Sequence, residues 1–450
     1  MRGGAAGHLV SRLRPPPALL AAVATAMALV VLIPAAVFST VTMIVVIFAL
    51  VLLLLLVVLG FGHTSEFFVI LGVFLVPMTN VHPVDAVSFI TVADASFAVG
   101  FTLMLPELMR RPLHLPPVFA FGVAGVFVVA LISSLLSTDP SGSLTNLVKL
   151  LVGAYGLSTL VNWWSPDLKR VVLIACSYVL GNCFSIAWGV VRQEVSRDGR
   201  RGGLAEHPNV YGLCALLAAA LIPFLLTQFP RSWRWMPAGA GVVCLYGVYS
   251  SGSRAALAVL IGVAAIYPVL ARSVPAALAL LSGVAGVLML LPQLLGESGT
   301  GNALGRLLGA GSADYSDVER EQLLHNVIDR FWLSPIYGNG LADIILAHVV
   351  YLQVAAGVGV IGLLFYLMTL WSTVQPITVL TPPFSLLALP ALAYVLVGFV
   401  TPLIWDRYIW TVMALALLAP GLAAIAATPP DAEEESSVGL HRNSEAAGQG

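Results

Sequence analysis

The sequence predicts an all-α fold, namely a polytopic integral membrane bundle of about 12–14 transmembrane helices with one long external loop. Two observations predict this fold. Of the 450 residues, 59% are hydrophobic and 10% are charged, and uncharged runs long enough to span a bilayer recur from one end of the chain to the other. A third observation, the placement of the basic residues, predicts the orientation of the helices.

The apolar runs place the helices in order along the chain. The predicted spans are at about residues 18–37, 41–60, 66–80, 86–106, 118–137, 144–163, 169–190, 207–228, 235–252, 254–271, 274–295, 347–371, 384–403 and 408–427. Residues 1–428 are therefore expected to form a single membrane domain. Residues 429–450 are polar and acidic, which predicts a disordered tail.

The basic residues of the short loops predict the topology. When the N-terminal Arg2, Arg12 and Arg14 are placed in the cytoplasm, the other short basic loops fall on the same side. A multi-pass protein with both termini in the cytoplasm is expected. The residues of those loops are Arg110, Arg111, Lys169, Arg170, Arg231, Arg234 and Arg272.

Two segments are left on the external side, residues 192–209 and the long loop 296–347. The long loop contains an amphipathic helix, which is expected to begin with a capping box of Ser316 and Glu319 and to end before Pro335. Its apolar residues recur at helical spacing and are expected to lie on the membrane surface or on the bundle. They are Leu323, Leu324, Val327, Ile328, Phe331 and Trp332.

The positive-inside rule disfavours arginines on the external side of a membrane protein, so arginines there indicate a need for positive charge. A diphosphate is the ligand that such a group of arginines favours. Residues 296–347 and the other external loops show no paired-carboxylate motif that would hold a metal–diphosphate complex, so neither a metal nor a cofactor is expected. These arginines are Arg192, Arg197, Arg200, Arg201, Arg254, Arg306, Arg320, Arg330 and Arg407.

Each candidate arginine also has a structural alternative. Arg254 begins a span beside several serines, but an arginine at a helix end also reaches the headgroups without any further role. Arg200 and Arg201 precede His207 and Asn209, where a helix N-terminus favours an anion. A solvated basic loop that binds anionic lipid is the alternative there. For Arg320 the alternative is a solvated helix face.

His348 stands where the long loop re-enters the membrane. A neutral imidazole at that interface can accept a proton from a hydroxyl near physiological pH, and the alternative is a histidine that only forms hydrogen bonds. Gly357, Gly359 and Gly362 follow it and permit close approach of a neighbouring helix or a substrate.

Three segments together resemble the O-antigen ligase and O-antigen polymerase superfamily of bacterial envelope proteins. They are RGGLAEHPNVYGLCALL, GVYSSGSRAALAVLIG, and IDRFWLSPIYGNG followed by HVVYLQVAAGVGVIGLL. The third is similar to the family pattern of Pro, Gly-x-Gly, a histidine and Gly-x-x-Gly, with His348, Gly359 and Gly362 at the family spacing. Val349 departs from the Asn, Ser or Gln that usually follows the histidine, and an acidic residue often found near Ala356 is absent.

The resemblance implies a GT-C-like helical fold in the bacterial inner membrane and a metal-independent transfer of a glycan from a polyprenyl-diphosphate donor to an acceptor hydroxyl outside the cytoplasm. It implies that His348 is the base or orients the acceptor, a glycan or glycolipid. It also implies that Arg254 and Arg320 bind the diphosphate, for which Arg200 and Arg201 are further candidates. Supporting roles are expected for His207, Asn209, Gly338, Gly340, Gly359 and Gly362.

Two other functions stay open. A transporter or flippase for a lipid-linked or amphipathic anion would also use arginines, but along a path that reaches the bilayer midplane. The predicted mid-spans are apolar, and Lys149 is the nearest exception. A non-catalytic role in envelope assembly is the second alternative, because of Val349. The lipid bilayer is an expected partner and nucleic acid is not.

Overall fold

The structure is a computed structural model that describes residues 40–83, 90–193, 195–196, 199–296, 301–307, 313–342, 348–402 and 404–427. The first predicted span, residues 18–37, and the tail 429–450 lie outside the described residues. Within them the regular elements are helices, and the one β-bridge is an isolated pairing of Val195 with Arg201.

The helices follow one another closely in the chain. They are α1 (Thr40–Leu75), α2 (Val92–Leu108), α3 (Pro117–Leu135), α4 (Pro140–Lys149), α5 (Leu157–Trp164), α6 (Leu168–Val191), α7 (Pro208–Gln228), α8 (Trp235–Ser250), α9 (Arg254–Leu270), α10 (Val274–Gly296), α11 (Ala303–Leu307), α12 (Ala313–Leu333), α13 (Val350–Val374), α14 (Pro376–Val379), α15 (Leu389–Val397) and α16 (Arg407–Ala427). A π-helical segment, Leu150–Gly156, joins α4 to α5, and 3₁₀ turns occur at Arg231–Trp233 and Phe384–Ala388.

The all-α, multi-pass prediction is confirmed. Among the described residues, 7 helices are long and apolar enough to cross a membrane, and three shorter apolar helices accompany them. Each predicted span from residue 41 onward overlaps helical structure. The spans 41–60 and 66–80 fall in the single long helix α1, the span 144–163 covers α4, the π-helical segment and α5, and the span 384–403 covers a 3₁₀ turn and α15. Large apolar side chains such as Phe61, Val57 and Leu53 are more than half exposed, as expected of a surface that faces lipid.

Helix α1 folds back on itself at Gly60. The dihedral angles of Gly60 are φ 77° and ψ 171°, a conformation essentially restricted to glycine. The rings of Phe48 and Phe68 lie 6.0 Å apart, whereas residues 20 apart in a continuous helix would be separated by about 30 Å. The hydroxyl of Thr64 also donates to the carbonyl of Leu55 at 3.0 Å. The two predicted spans are therefore the two arms of a hairpin.

The core is centred on α7 and α16, which are apolar on all sides. Residues 408–419 of α16 are all buried, with Trp410 fully enclosed. The burial of their side chains, and not their apolar character alone, places α7 and α16 in the middle of the bundle, because an apolar helix such as α1 can also face lipid. Several buried polar side chains in this core bond to main-chain carbonyls; for example, the hydroxyl of Tyr178 donates to the carbonyl of Tyr408 at 3.1 Å.

Helix α13 is also interrupted, at Gly359, whose dihedral angles are φ 69° and ψ −178°. A Cβ atom on Gly362 would lie 2.5 Å from the Cβ of Val358, whereas Cβ atoms four residues apart in a helix are about 5–6 Å apart. The chain therefore turns sharply at Gly359.

The loop 335–340 lies across this turn and bonds to it through main-chain atoms. The N–H groups of Asn339 and Gly340 donate to the carbonyls of Ala356 and Gly357 at 3.0 and 2.9 Å, and Val360 N–H donates to the carbonyl of Pro335 at 2.8 Å. These bonds satisfy main-chain N–H and C=O groups that lose their helical hydrogen-bond partners where the helix is interrupted.

The amphipathic helix of the long loop is present as α12, with a different start. It begins at Ala313, so Ser316 lies inside the helix and not at the N-cap that the capping-box prediction gave it. The predicted end is confirmed, since the helix stops at Leu333. Val327 is buried against Ala356 of α13, so the helix packs on the bundle. Trp332 and Leu333 are mostly exposed.

Candidate functional site

A cavity of about 710 Å³ lies where α7, α9 and α13 begin and where α15 ends. Its volume is within the usual range for a ligand pocket. We call it the arginine cavity. Its polar lining residues are Glu206, His207, Asn209, Ser253, Arg254, Arg306, Arg320, His348 and Thr401.

The arginine cavity gathers five of the side chains predicted from the sequence. His207 and Asn209 come from the first motif, Arg254 from the second and His348 from the third, while Arg320 comes from the amphipathic helix α12. Segments separated by more than a hundred residues therefore meet at one place. The lining is completed by apolar residues of α9 and α15, including Val259 and Leu396.

Arg200 and Arg201 are not among the residues that line the arginine cavity. The Arg200 side chain is 7% exposed, its Nε donates to the Ser251 carbonyl at 2.9 Å, and its Nη2 donates to Asn209 Oδ1. Arg201 donates from Nη1 to the carbonyl of Gly189 at 2.9 Å. These two arginines join loop 199–209 to its neighbours, and Arg200 holds Asn209 at the cavity wall.

Glycines allow the two loops predicted to be external to approach each other closely. Gly252 has a φ of +67°, and a Cβ there would overlap the carbonyl oxygen of Gly301 and approach Arg200 Nε to 2.8 Å. A Cβ on Gly199 would lie 3.4 Å from Gly301 Cα. The two loops predicted to be external thus meet on the same face of the bundle at Gly199, Gly252 and Gly301.

Arg306 is a lining residue that was not among the predicted site residues. Its side chain is 5% exposed, and its Nη1 donates to the Gly252 carbonyl at 3.2 Å. Its Nε is buried and has no hydrogen-bond partner among the described residues. A buried charged donor without a partner is costly, so this atom favours a ligand that accepts hydrogen bonds. Its only signal in the sequence was its position among the arginines predicted to be external.

His207 is held as a neutral hydrogen-bond donor. It is the N-cap of α7, and its Nδ1 accepts the N–H of Asn209 at 3.1 Å. In the neutral ring the proton then resides on Nε2. Partial burial in the cavity wall lowers the pKa of His207, and the nearby Arg200, His348 and Arg320 lower it further.

His348 owes its position to the start of α13. The N–H of Val350 donates to the Gly398 carbonyl at 2.9 Å, and the hydroxyl of Tyr351 donates to the Val395 carbonyl at 2.6 Å. These bonds attach the beginning of α13 to the end of α15. His348 is thereby held at the cavity, with its side chain partly buried.

The four predicted supporting glycines of the third motif act through packing, since none of them lines the cavity. A Cβ on Gly338 would overlap the carbonyl of Gly357, and one on Gly359 would overlap the carbonyl of Ile336. Gly340 N–H donates to Ser133 Oγ at 2.8 Å, and a Cβ on Gly340 would lie 2.5 Å from Ser137 Cβ. Together with Gly362, these glycines allow loop 335–340 to dock on α13.

Polar side chains of α3 and α4 also hold the docked loop 335–340 through hydrogen bonds. Ser133 donates to the carbonyl of Gly357 at 2.6 Å, and Ser143 accepts the N–H of Leu341. The Asn146 amide donates to the carbonyl of Leu341 at 2.8 Å. All three side chains are buried, so the loop is held in a water-poor environment where hydrogen bonds are strong.

The charges of the arginine cavity favour an anion. Arg254, Arg306 and Arg320 outnumber the single lining carboxylate, Glu206. Guanidinium groups in a partly buried site recognise phosphate oxygens in pairs. Within the described residues no group of three or more His, Cys, Asp or Glu side chains is placed to hold a metal ion.

Comparison with known proteins finds no family model that matches the chain and no curated protein that matches it. Membership of the O-antigen ligase and polymerase superfamily therefore stays a prediction, which rests on the three sequence segments.

Proposed function

We propose that this protein transfers a glycan from a polyprenyl-diphosphate donor to an acceptor hydroxyl at the external face of the bacterial inner membrane. The observation that carries the proposal is the arginine cavity, in which Arg254, Arg306 and Arg320 meet His348. The resemblance of the three sequence segments supplies the substrate class, and the cavity supports it with a site of matching charge.

The arginines have the task of holding the leaving group. When the acceptor oxygen attacks the anomeric carbon, the bond from that carbon to the diphosphate oxygen breaks. The electron pair stays on the diphosphate, and the negative charge that develops there is stabilised by positioned guanidinium groups. The unpartnered Nε of Arg306 is suited to one of those oxygens.

His348 has the task of taking the proton of the acceptor hydroxyl. It lines the same cavity as the arginines, so a donor held by them would place its anomeric carbon near the imidazole. His207, with its proton held on Nε2, is suited to donate a hydrogen bond to the substrate and not to accept the proton. The two histidines would therefore have different tasks.

The proposal is tested with the purified full-length protein in lipid nanodiscs, a synthetic polyprenyl-diphosphate glycan and a glycolipid acceptor. General-base help is worth about 10²–10⁴-fold, so His348→Ala should lose at least a hundredfold in transfer and still bind the donor. His348→Gln separates the two possible roles, because glutamine can orient a hydroxyl but cannot take its proton. Partial activity of His348→Gln would indicate an orienting role.

Arg254→Lys tests the arginine cavity in the same assay. Lysine keeps the charge but loses the planar fork that grips two phosphate oxygens, so transfer should fall by about tenfold or more. Arg231→Lys is the matched control, because Arg231 is exposed in the loop between α7 and α8 and is not a lining residue. Wild-type rates in both Arg254→Lys and His348→Ala would refute the proposal.

Mass spectrometry of a strain that lacks the protein distinguishes transfer from the rival activity. Loss of a transferase should leave lipid-linked glycans on the outer face of the membrane. Accumulation of those glycans on the inner face would instead identify a flippase and would contradict the proposal.

A further inference from the structure

A second cavity, of about 320 Å³, lies beside the arginine cavity. Glu206 lines both cavities, so they share a wall. We call the second one the mixed cavity, because groups of both charge signs line it. Its lining residues are Val76, Thr79, His82, Thr91, Ala93, Lys149, Glu206, Trp405, Asp406, Arg407 and Tyr408.

The charges of the mixed cavity are balanced. Lys149, Arg407, Glu206 and Asp406 all line it, and Arg407 Nε pairs with Asp94 Oδ1 at 2.5 Å. Such a site has no net preference for an anion, in contrast to the arginine cavity. It offers donors and acceptors together, which suits hydroxyl groups, because each hydroxyl both donates and accepts.

Trp405 gives the mixed cavity an aromatic wall. Its ring is partly exposed, and Lys149 Nζ lies 6.0 Å from the ring centroid. The face of an indole carries partial negative charge, so it attracts the weakly positive C–H groups of a sugar ring. An aromatic face flanked by donors and acceptors is a suitable surface for a ring that has hydroxyls on its edge and C–H groups on its face.

The wall between the two cavities is held by hydrogen bonds from main-chain N–H groups. Glu206 N–H donates to Thr79 Oγ1 at 3.0 Å, and Asn80 N–H donates to the Leu204 carbonyl at 3.0 Å. On the other side, Thr91 and Asp94 form a capping box at the start of α2. The residues around the mixed cavity are thus positioned before any ligand binds, which reduces the entropic cost of binding.

We propose that the mixed cavity binds an uncharged sugar ring, the acceptor end of the second substrate, and presents one of its hydroxyls past Glu206 to the arginine cavity. This inference rests on the proposed function and adds to it a separate place for the acceptor. Burial raises the pKa of Asp406 to about 7. In its protonated form this carboxyl can donate to a sugar oxygen as well as accept from a hydroxyl.

The test uses the full chain in lipid nanodiscs with two probes. The first probe is a set of methyl glycosides of glucose, N-acetylglucosamine and rhamnose, whose binding is measured by saturation-transfer NMR titration. The second is farnesyl diphosphate, an anionic lipid diphosphate. Trp405→Leu and Lys149→Met alter the mixed cavity, Arg254→Ala alters the arginine cavity, and Lys169→Met is an exposed control outside both.

We expect at least one glycoside to bind, and its dissociation constant to rise roughly tenfold in Trp405→Leu and Lys149→Met. In Arg254→Ala and Lys169→Met the dissociation constant of the glycoside should stay within about twofold of the wild-type value. Arg254→Ala should instead weaken the binding of farnesyl diphosphate. Lys149 is exposed, so Lys149→Met keeps the test valid if Trp405→Leu does not fold.

The inference is overturned if no glycoside binds the wild-type protein, or if binding is unchanged in both mixed-cavity variants. Its failure is distinct from that of the proposed function. If farnesyl diphosphate does not bind, or binds equally well to Arg254→Ala, the proposed donor site fails whatever the glycosides do.

Discussion

Two glycines turn the chain with nearly the same backbone conformation but in different surroundings. Gly60 has φ 77° and ψ 171°, and Gly359 has φ 69° and ψ −178°. A Cβ on Gly60 would meet no heavy atom of the described residues within 4 Å, whereas a Cβ on Gly359 would overlap the carbonyl of Ile336. The first turn stands in open space, and the second lies beneath loop 335–340.

The different surroundings of Gly60 and Gly359 imply different roles for the two turns. At Gly60 the turn joins two arms of a hairpin whose outer side chains are exposed, and its only requirement is a residue that tolerates positive φ. At Gly359 the turn is also a binding surface for loop 335–340, which leads towards His348. A change at the first turn should affect stability alone, and a change at the second should affect stability and the site together.

Gly359→Ala should have the largest effect. It combines an unfavourable φ with overlap against the docked loop, so we expect a loss of about 3 kcal/mol or more in unfolding free energy, measured by SDS denaturation in mixed micelles. Transfer activity per folded molecule should fall as well. Gly262→Ala is the control, because Gly262 lies within α9 with open space around it. If the Gly359→Ala variant were as stable and active as the control, the loop would not need this turn.

Gly60→Ala should have the intermediate effect. The unfavourable φ is expected to cost about 2 kcal/mol, again by SDS denaturation, with no overlap to add to it. Activity per folded molecule should equal that of the wild type. If Gly60→Ala reduced activity as much as Gly359→Ala at equal folded amounts, the distinction between the two turns would be lost.

Ser133→Ala should have the smallest effect on the unfolding free energy, and it tests how much one side chain contributes to the docking of loop 335–340. The variant loses the bonds of Ser133 Oγ to Gly357 and Gly340, but Gly340 N–H still donates to the Gly357 carbonyl. We therefore expect a loss of about 1 kcal/mol. Ser372→Ala is a matched buried control, since among the described residues the Ser372 hydroxyl bonds within its own helix, to the carbonyl of Met368. Equal losses in both variants would argue against a special role for Ser133.

The sequence is sufficient to place most helices. The prediction of 118–137 corresponds to α3 at Pro117–Leu135, because an apolar run of that length has few other stable conformations in a bilayer. The turn at Gly359 was not predictable in the same way. GVGVIG reads as an ordinary small-residue stretch of a span, and the groups that stabilise the turn come from residues about twenty positions earlier.

The candidate site was predictable only in part for a similar reason. Arg254 and Arg200 look alike in sequence, since both stand near the start of a predicted span and beside small residues. Arg254 lines the cavity, whereas Arg200 bonds to Ser251 and Asn209 behind it. Arg306 enters the lining because Gly301 packs on Gly252. Which arginines face a cavity depends on contacts between distant loops, and no local pattern encodes those contacts.

The docking of loop 335–340 on α13 depends mainly on main-chain atoms. Its bonds join N–H and C=O groups of Pro335, Asn339 and Gly340 to those of Ala356, Gly357 and Val360, so they do not depend on which side chains stand between the glycines. The consequence is evolutionary. Selection on this junction should act on its glycines and on the few polar side chains that bond to it, such as Ser133 and Asn339, and leave the other neighbours free to diverge.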